Sequence, residues 1–405
     1  MRVLLLSQYY YPEPVEKVHD LARGLVRRGH EVQVLTGVPC YPRGEIYDGY
    51  SRSLGREEVI DGVRVLRLPQ IPDHSQTAWK RAVYYLSFAA SAATLGTIRA
   101  RRADVLLVYQ AALPIGFATW VLSRLRRLPV VLDVVDLWPE SIMVSGMRHH
   151  PLLLAAVRRV ARWVYANADH VSVVTEGYRR NLTDLGVEPG KLGVIHNWMP
   201  SETYRVQPLD PAVAQRYGLQ DRFNVIYAGN MGPVQDLATV LGAAERLRDH
   251  PAVQFVLAGD GTQHAALVAD AHARGLTNVK FLGRLPPESM PALYAHAGAL
   301  LVHLRPDPLS DVTIPSKVFA YLACGRPILA GVRGETERFV REGGFGVSFP
   351  PSDPVALADA VRTLSATPPA VRDRMGATAL DLHRREFSSE VQVARFEEVL
   401  ERVAR

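Results

Sequence analysis

The chain has 405 residues, of which 48% are hydrophobic and 22% charged. That length exceeds the usual single domain and predicts at least two. The composition excludes a disordered, collagen-like or disulfide-framed protein. The net charge is +6 and sits in the first half: residues 1–200 hold 25 Lys+Arg against 18 Asp+Glu, and the rest hold 22 against 23. Cys40 and Cys324 form no metal motif and fit a reducing compartment, so a cytoplasmic location is expected. The chain opens directly on a strand-like run, MRVLLLSQYY, so no secretory signal is expected.

In chain order, VLLLSQYY is followed by the helical pattern KVHDLARGLVRRGH and by EVQVLTG. The loop between the first two elements is aromatic and carries Tyr11, Glu13, Glu16 and His19. His19 is read either as a ligand-facing group or as a solvated first-turn histidine. The segment GVPCYPRGEIYDGY, with Tyr41, is a pocket wall or a proline-stiffened surface loop. The longest apolar run, Ala82 to Ile98, contains Ser87, Ser91, Thr94 and Thr97 and predicts a helix of the globule rather than a membrane span. Buried-strand runs DVLLVY, PVVLDVVD, HVSVVTE and LGVIHN follow. The string LDVVDLWPES ends a strand at Asp136 and continues through Trp138 and Glu140. Asp136 is a candidate for proton handling, or it merely caps the next helix; Asp133 points to the opposite strand face. Arginines cluster at 99–102, 124–127 and 158–162. They are solvated helix faces, or they meet anionic lipid or a phosphorylated acceptor. No aromatic-basic RNA motif or recognition helix accompanies them, so nucleic acid is not expected.

After Pro200 the pattern restarts with FNVIYAGN, VQFVLAGDG, NVKFLG, ALLVHL, RPILAG and GVSF. Strands alternating with helices predict a parallel sheet in each half. YAGNMG, Tyr227 to Gly232, predicts a strand running through a glycine turn into the helix DLATVLGAAERL. Such a turn lets backbone approach a phosphate. AGDG around Gly259 and FLGRLP with Arg284 and Leu285 end further strands. In TIPSKVFAYLACGRPILAG, Pro315 is placed in the first turn of a helix that Gly325 closes. Ser316 and Lys317 then offer an anion free N–H groups and a full positive charge. Arg284 and Arg305 are possible helpers to that cation. A last helix is expected from near Ser388.

These strings resemble the retaining glycosyltransferases of the GT-B fold, in the large family-four group. D-L-W-P-E-S and G-N-M-G are similar to the bacterial fucosaminyltransferase-type members. The resemblance implies an α/β fold of two Rossmann-like, doubly wound domains facing across a cleft. Residues 1–198 plus a terminal helix at 388–405 would form the acceptor side, and 199–387 the nucleotide-sugar side. It implies transfer, with retention, from a nucleotide-diphosphate sugar to a glycan, lipid-linked or small-molecule acceptor; no D-x-D metal site stands in a matching context, so neither metal nor cofactor is expected. Asp136 and Lys317 would be catalytic. Gly229, Asn230, Met231, Gly232, Gln235, Gly259, Arg284, Leu285, Thr313, Ile314, Pro315 and Ser316 would hold the donor. Tyr11, Glu13, Glu16, His19, Tyr41, Trp138 and Glu140 would face the acceptor, and Asn197 would orient the domain junction. Peripheral membrane contact through the basic half is also expected. The chain departs from the family at four positions. Val312 and Ala320 stand where it has glutamates, Asn230 and Gln235 where it has arginine and lysine. Its first loop also lacks the usual glycines. Other readings are a nucleotide-sugar epimerase and a degenerate binding subunit.

Overall fold

The computed structural model describes residues 1–51, 55–73, 77–143 and 151–405. They form two compact α/β units, Met1–His196 with Ser389–Arg405, and Asn197–Ser388.

The first unit holds β1 (Arg2–Ser7), β2 (Glu31–Gly37), β3 (Arg56–Ile60), β4 (Val63–Leu68), β5 (Val105–Gln110), β6 (Val130–Val134), β7 (His170–Val173) and β8 (Leu192–Val194). Their order across the sheet is β3-β4-β2-β1-β5-β6-β7-β8. All neighbours are parallel except the β3–β4 hairpin at the edge. The central strands are continuous apolar runs because helices cover both faces of a parallel sheet. The sequence reading passes over the hairpin. Its signal was Asp61-Gly62, both at positive φ, a two-residue turn that matches strand twist. The terminal helix Ser389–Val403 belongs to this unit and packs on the helix Glu16–Arg27. Glu397 there meets both Arg28 and His30.

The second unit holds β9 (Phe223–Ala228), β10 (Val253–Ala258), β11 (Val279–Gly283), β12 (Ala299–His303), β13 (Ile328–Gly331) and β14 (Gly346–Ser348). The order is β11-β10-β9-β12-β13-β14, parallel throughout. Counted within the unit this is 3-2-1-4-5-6, the doubly wound dinucleotide-binding order, whose direction reverses between β9 and β12. Ligands of such sheets gather at the carboxyl edge beside that reversal.

Two expectations about local structure need correction. The helix after YAGNMG does not follow directly. A short 3-10 turn, Pro233–Gln235, intervenes, and the α-helix spans Ala238–Glu245. Asp236, at φ 45°, breaks the path between them. Pro315 lies one residue outside its helix, extended at ψ 140°, and the helix runs Ser316–Ala323.

Candidate active site

At the carboxyl edge of the second sheet the backbone does most of the shaping. β9 ends at Ala228 and the chain turns at Gly229, whose φ is +138°. β10 ends at Ala258 and turns at Gly259, also at φ +138°. The Gly229 N–H donates to Ala258 O at 2.9 Å, and Met231 N–H to Asp260 O at 2.8 Å. The two turns lie so close that a Cβ on Gly259 would sit 1.9 Å from Gly229 O. Only glycine satisfies both the left-handed backbone and the contact. Below them Tyr321 fixes the strand reversal: its hydroxyl accepts from Ala228 N–H and donates to Leu301 O, both at 3.3 Å.

Gln235 braces the loop by accepting from Gly232 N–H at 3.0 Å and from the Asn230 amide at 3.3 Å. Its own carbonyl accepts from His303 Nδ1 at 2.9 Å, and His303 Nε2 accepts from Ser352 N–H at 3.1 Å. These partners require the neutral imidazole with its proton on Nδ1. Burial holds its pKa below the usual value, in agreement.

Lys317 is the charged group of this edge. It is the second residue of the Ser316–Ala323 helix, and its Nζ lies 3.7 Å from the centre of the Tyr227 ring. A Cβ on Gly229 would be 3.0 Å from that nitrogen. Nζ is buried and has no hydrogen-bond partner among the described residues. Burial pulls its pKa down to about 7. A buried ammonium facing only an aromatic ring is in an expensive state that an incoming anion would relieve. Thr313 and Ile314 lead into this helix, with Thr313 O accepting from Thr336 Oγ1 at 2.8 Å. Arg284 and Arg305 are exposed, and Leu285 packs on the core beneath them. Ala320 is buried in the same core at 2% exposure. A cavity of about 490 Å³ lined by Arg222, Phe223, His296, Arg326 and Arg372 opens at the opposite, amino edge of this sheet, away from the glycine turns.

The first unit presents a different kind of edge. Glu13 is buried, and its carboxylate accepts from the N–H groups of Cys40 and Tyr41 at 2.8 Å and of Tyr10 at 3.1 Å. Burial still lifts its pKa to about 6. Its bonds stitch the loop after β1 to the loop after β2, so it is a brace rather than a free ligand-facing acid. His19 is likewise engaged, with Nδ1 at 2.9 Å from the Tyr10 hydroxyl and Nε2 at 3.0 Å from Asp61 Oδ2. It ties the first helix to the β3–β4 turn and is only partly exposed. Tyr41 packs on Tyr9 at 5.1 Å, while Tyr11 lies exposed over His19. Glu16 opens the helix Glu16–Arg27.

Asp136 lies just past β6, and burial raises its carboxyl to about 6. Shortly after it in the chain, Trp138 Nε1 and Glu140 Oε2 are buried without hydrogen-bond partners among the described residues, and on the neighbouring strand the Gln110 side chain lies against the Tyr165 hydroxyl. Gln110 ends β5, beside the reversal between β1 and β5, where sheet ligands gather. The sequence reading misses Gln110, although a polar residue closing an apolar strand was a usable signal. It also misses Lys17, whose Nζ pairs with Asp133 Oδ2 at 2.8 Å in the core. That pairing explains why Asp133, deep in the strand, is tolerated. Among the described residues one group of potential metal ligands is close-set, His30, Glu397 and Glu401. His30 and Glu397 there already pair with each other.

Known proteins agree with this architecture. Residues 14–198 match the family described as glycosyl transferase 4-like domain, and residues 222–367 match glycosyl transferases group 1. WcaI of Escherichia coli strain K12, named as a colanic acid biosynthesis glycosyl transferase, is 27% identical over 83% of this chain and 84% of its own. Glycogen synthase of Mycobacterium tuberculosis is 25% identical over 93% of this chain and 89% of its own. The crystal structure of Anabaena HepE with UDP-glucose superposes with a TM-score of 0.71 at 18% identity, covering 99% of this chain and 100% of that one. The two glycosyltransferase families are matched in chain order, each over less than half of the chain, and the fold is that of GT-B enzymes: this chain is a glycosyltransferase of the GT-B fold.

Proposed function

We propose that this glycosyltransferase moves a sugar, with retention, from a nucleotide-diphosphate sugar to a glycan or lipid-linked acceptor in polysaccharide assembly. The observation that carries the donor half is Lys317, a buried, unpartnered amine beside the Gly229 and Gly259 turns. A diphosphate is the dianionic group such a place would hold, with the Ser316–Ala323 helix start adding N–H donors. In the transfer the bond from the anomeric carbon to the phosphate oxygen breaks and a bond to the acceptor oxygen forms. The departing phosphate takes the acceptor's proton. Lys317 stabilises the charge growing on that phosphate. Asp136, with a carboxyl lifted to about 6, bonds the hydroxyls of the reacting sugar or acceptor. The likeness to WcaI supports an acceptor of the polysaccharide class. The D-L-W-P-E-S string supports an amino sugar or hexose as cargo. The reading includes metal independence.

The purified chain is offered UDP-, GDP- and dTDP-sugars with lipid-diphosphate and soluble acceptors, with and without EDTA. Product is identified by mass, and its anomeric configuration by NMR. Transfer to a lipid-diphosphate or glycan acceptor that survives EDTA, with the donor's configuration kept, is the expected result. Inverted product overturns retention, and loss in EDTA overturns metal independence. Activity on soluble metabolites alone overturns the acceptor assignment. Absence of turnover with intact nucleotide binding favours the binding-subunit reading.

A further inference from the structure

The cavity of about 490 Å³ at the amino edge of the second sheet lies apart from the glycine turns and Lys317. It opens where β9, β12 and β13 begin, three parallel strands side by side in the sheet. Strand β9 runs from Phe223 in the cavity wall to Ala228 beside the Gly229 turn. Those six residues of extended chain separate the two edges by about 20 Å.

Three guanidinium groups reach this cavity from separate elements. Arg222 stands just ahead of β9, Arg326 just ahead of β13, and Arg372 in the first turn of the helix Pro369–Leu382. Each is held by neutral groups. Arg222 Nη1 donates to Gln254 Oε1 at 3.0 Å, and Arg326 Nη2 to Ala295 O. Arg372 Nη1 donates to the carbonyls of Leu364 and Ser365, both at 3.2 Å, and to that of Thr367. Arg372 also lies over the Phe223 ring, 5.3 Å from its centre. That ring is pressed on Gly298, where a Cβ would be 2.5 Å away. The three cations are thus positioned without being neutralised. Elsewhere in this unit Arg248, Arg274, Arg362 and Arg385 each pair with a carboxylate.

The carboxylates of the cavity wall, Asp221 and Asp373, are exposed, whereas Arg326 is half-buried. His296 completes the ionisable groups of the wall. Its Nε2 accepts from Asp210 N–H at 3.3 Å, and burial holds its pKa below the usual value, so it is neutral with its proton on Nδ1. A space of this size suits a ligand of metabolite dimensions. An apolar guest would strand the guanidinium groups away from water. A bare anion would face Asp221 and Asp373 with nothing to offer them. A phosphate ester on a hydroxyl-rich skeleton answers both. Guanidinium forks match phosphate oxygens, and carboxylates accept from hydroxyls.

We propose that this amino-edge cavity binds a small phosphorylated sugar, at a site separate from the Lys317 edge. The test is calorimetry of the full chain with a panel of hexose and pentose monophosphates, beside the free sugars, inorganic phosphate and AMP. No sugar nucleotide or acceptor is present, so failure here leaves the transferase reading standing. At least one ester should bind about tenfold or more tightly than its free sugar and than inorganic phosphate. Arg222→Gln/Arg326→Gln should weaken that binding about tenfold or more. Gln220→Glu, which adds a charge at an exposed position of the wall, should weaken it about threefold or more. Asp221→Asn keeps a residue type that tolerates the φ of 54° there. It should weaken the ester without weakening inorganic phosphate. Lys317→Met, on the opposite edge, should bind the ester as the wild type does. Thermal melts identify variants that fail to fold, and if the double arginine variant does, Gln220→Glu decides. The proposal is overturned if no ester of the panel binds, or if inorganic phosphate or AMP binds as tightly. It is also overturned by full affinity in the folded arginine and Gln220 variants, or by loss of binding in Lys317→Met.

Discussion

The carboxyl edges of the two sheets solve different problems with different materials. In the second unit the edge is made of backbone. Two glycine turns in contact, a Gln235 brace and a neutral His303 strut surround a charge, Lys317, that has no partner among the described residues. In the first unit the edge is made of side chains. Asp136 is followed in the chain by Trp138 and Glu140, whose buried Nε1 and Oε2 have no partners among the described residues, with Gln110 on the neighbouring strand. A backbone cradle with one cation suits a ligand part that is the same in every turnover, such as a diphosphate. A cluster of unsatisfied side chains suits groups that differ between substrates. Selectivity for sugar and acceptor should therefore lie in the first unit, and affinity for the nucleotide in the second.

The largest expected effect comes from breaking the backbone cradle. Gly259→Val puts a branched side chain at φ +138° against Gly229 O. Thermal melts should show a loss of several kcal/mol, on the scale of combined strain and overpacking, and nucleotide binding by calorimetry should vanish. A fully stable variant would mean that the two turns can move apart.

Asp136→Asn attacks the other edge. The carboxyl is raised to about 6 by burial, so the ionised form dominates above that pH and is costly to the fold. Turnover should fall on the order of a hundredfold or more, within the range of proton-handling groups. Nucleotide Kd should stay unchanged and the melting temperature at pH 7 should not fall. Wild-type kcat/KM should rise through pH 6 if the carboxylate is the working form. A flat profile, or a nucleotide defect in the variant, would erase the contrast between the edges.

Trp138→Phe removes a buried donor that has no partner among the described residues. Removing an unsatisfied group costs the fold little, so stability should hold while KM for one substrate rises about tenfold. Loss of stability without a kinetic change would make Trp138 a packing residue only.

The smallest effect concerns the nucleoside. Ala320 offers no carboxylate to a ribose, so ribose and deoxyribose donors should differ by less than about a hundredfold in kcat/KM. Sites that bond a hydroxyl reject analogues lacking it far more strongly. A larger preference would point to Glu335 or Glu337, in the first turn of the helix Gly334–Gly343.

The strands of both sheets were legible because parallel strands covered on both faces are unbroken apolar runs. The hairpin β3–β4 was not read, because Arg56-Glu57-Glu58 at its start looks like an exposed loop. The cradle was legible as glycines and a lysine after a proline, since local backbone needs dictate those residues. Its depth was not, because the burial of Lys317 comes from Tyr227, a partner distant in sequence. The engagement of Glu13 and His19 stayed hidden for the same reason. Their partners Cys40, Tyr41 and Asp61 arrive through the sheet order, and only the fold reveals that their bonds are already made. Lys17 and Asp133 show the converse, each unremarkable alone and meaningful only as a pair.

The most direct measurement is the affinity of UDP and GDP for wild type and Lys317→Met across pH. Burial lowers the Lys317 pKa to about 7, so in the free protein the ammonium is full only below that value. A bound diphosphate raises it, because opposite charge favours the protonated form. Wild-type affinity should then be greatest below pH 7 and weaken up to about tenfold per pH unit above it. The folded-state pKa is depressed from 10.5, so the unfolded chain binds more protons in that window. Lys317 therefore costs the empty fold on the order of 4 kcal/mol at neutral pH. Lys317→Met should bind at least tenfold more weakly, lose the pH dependence and melt higher than wild type. A variant that binds as the wild type does, with the same pH profile, would contradict the assignment of the diphosphate to this lysine.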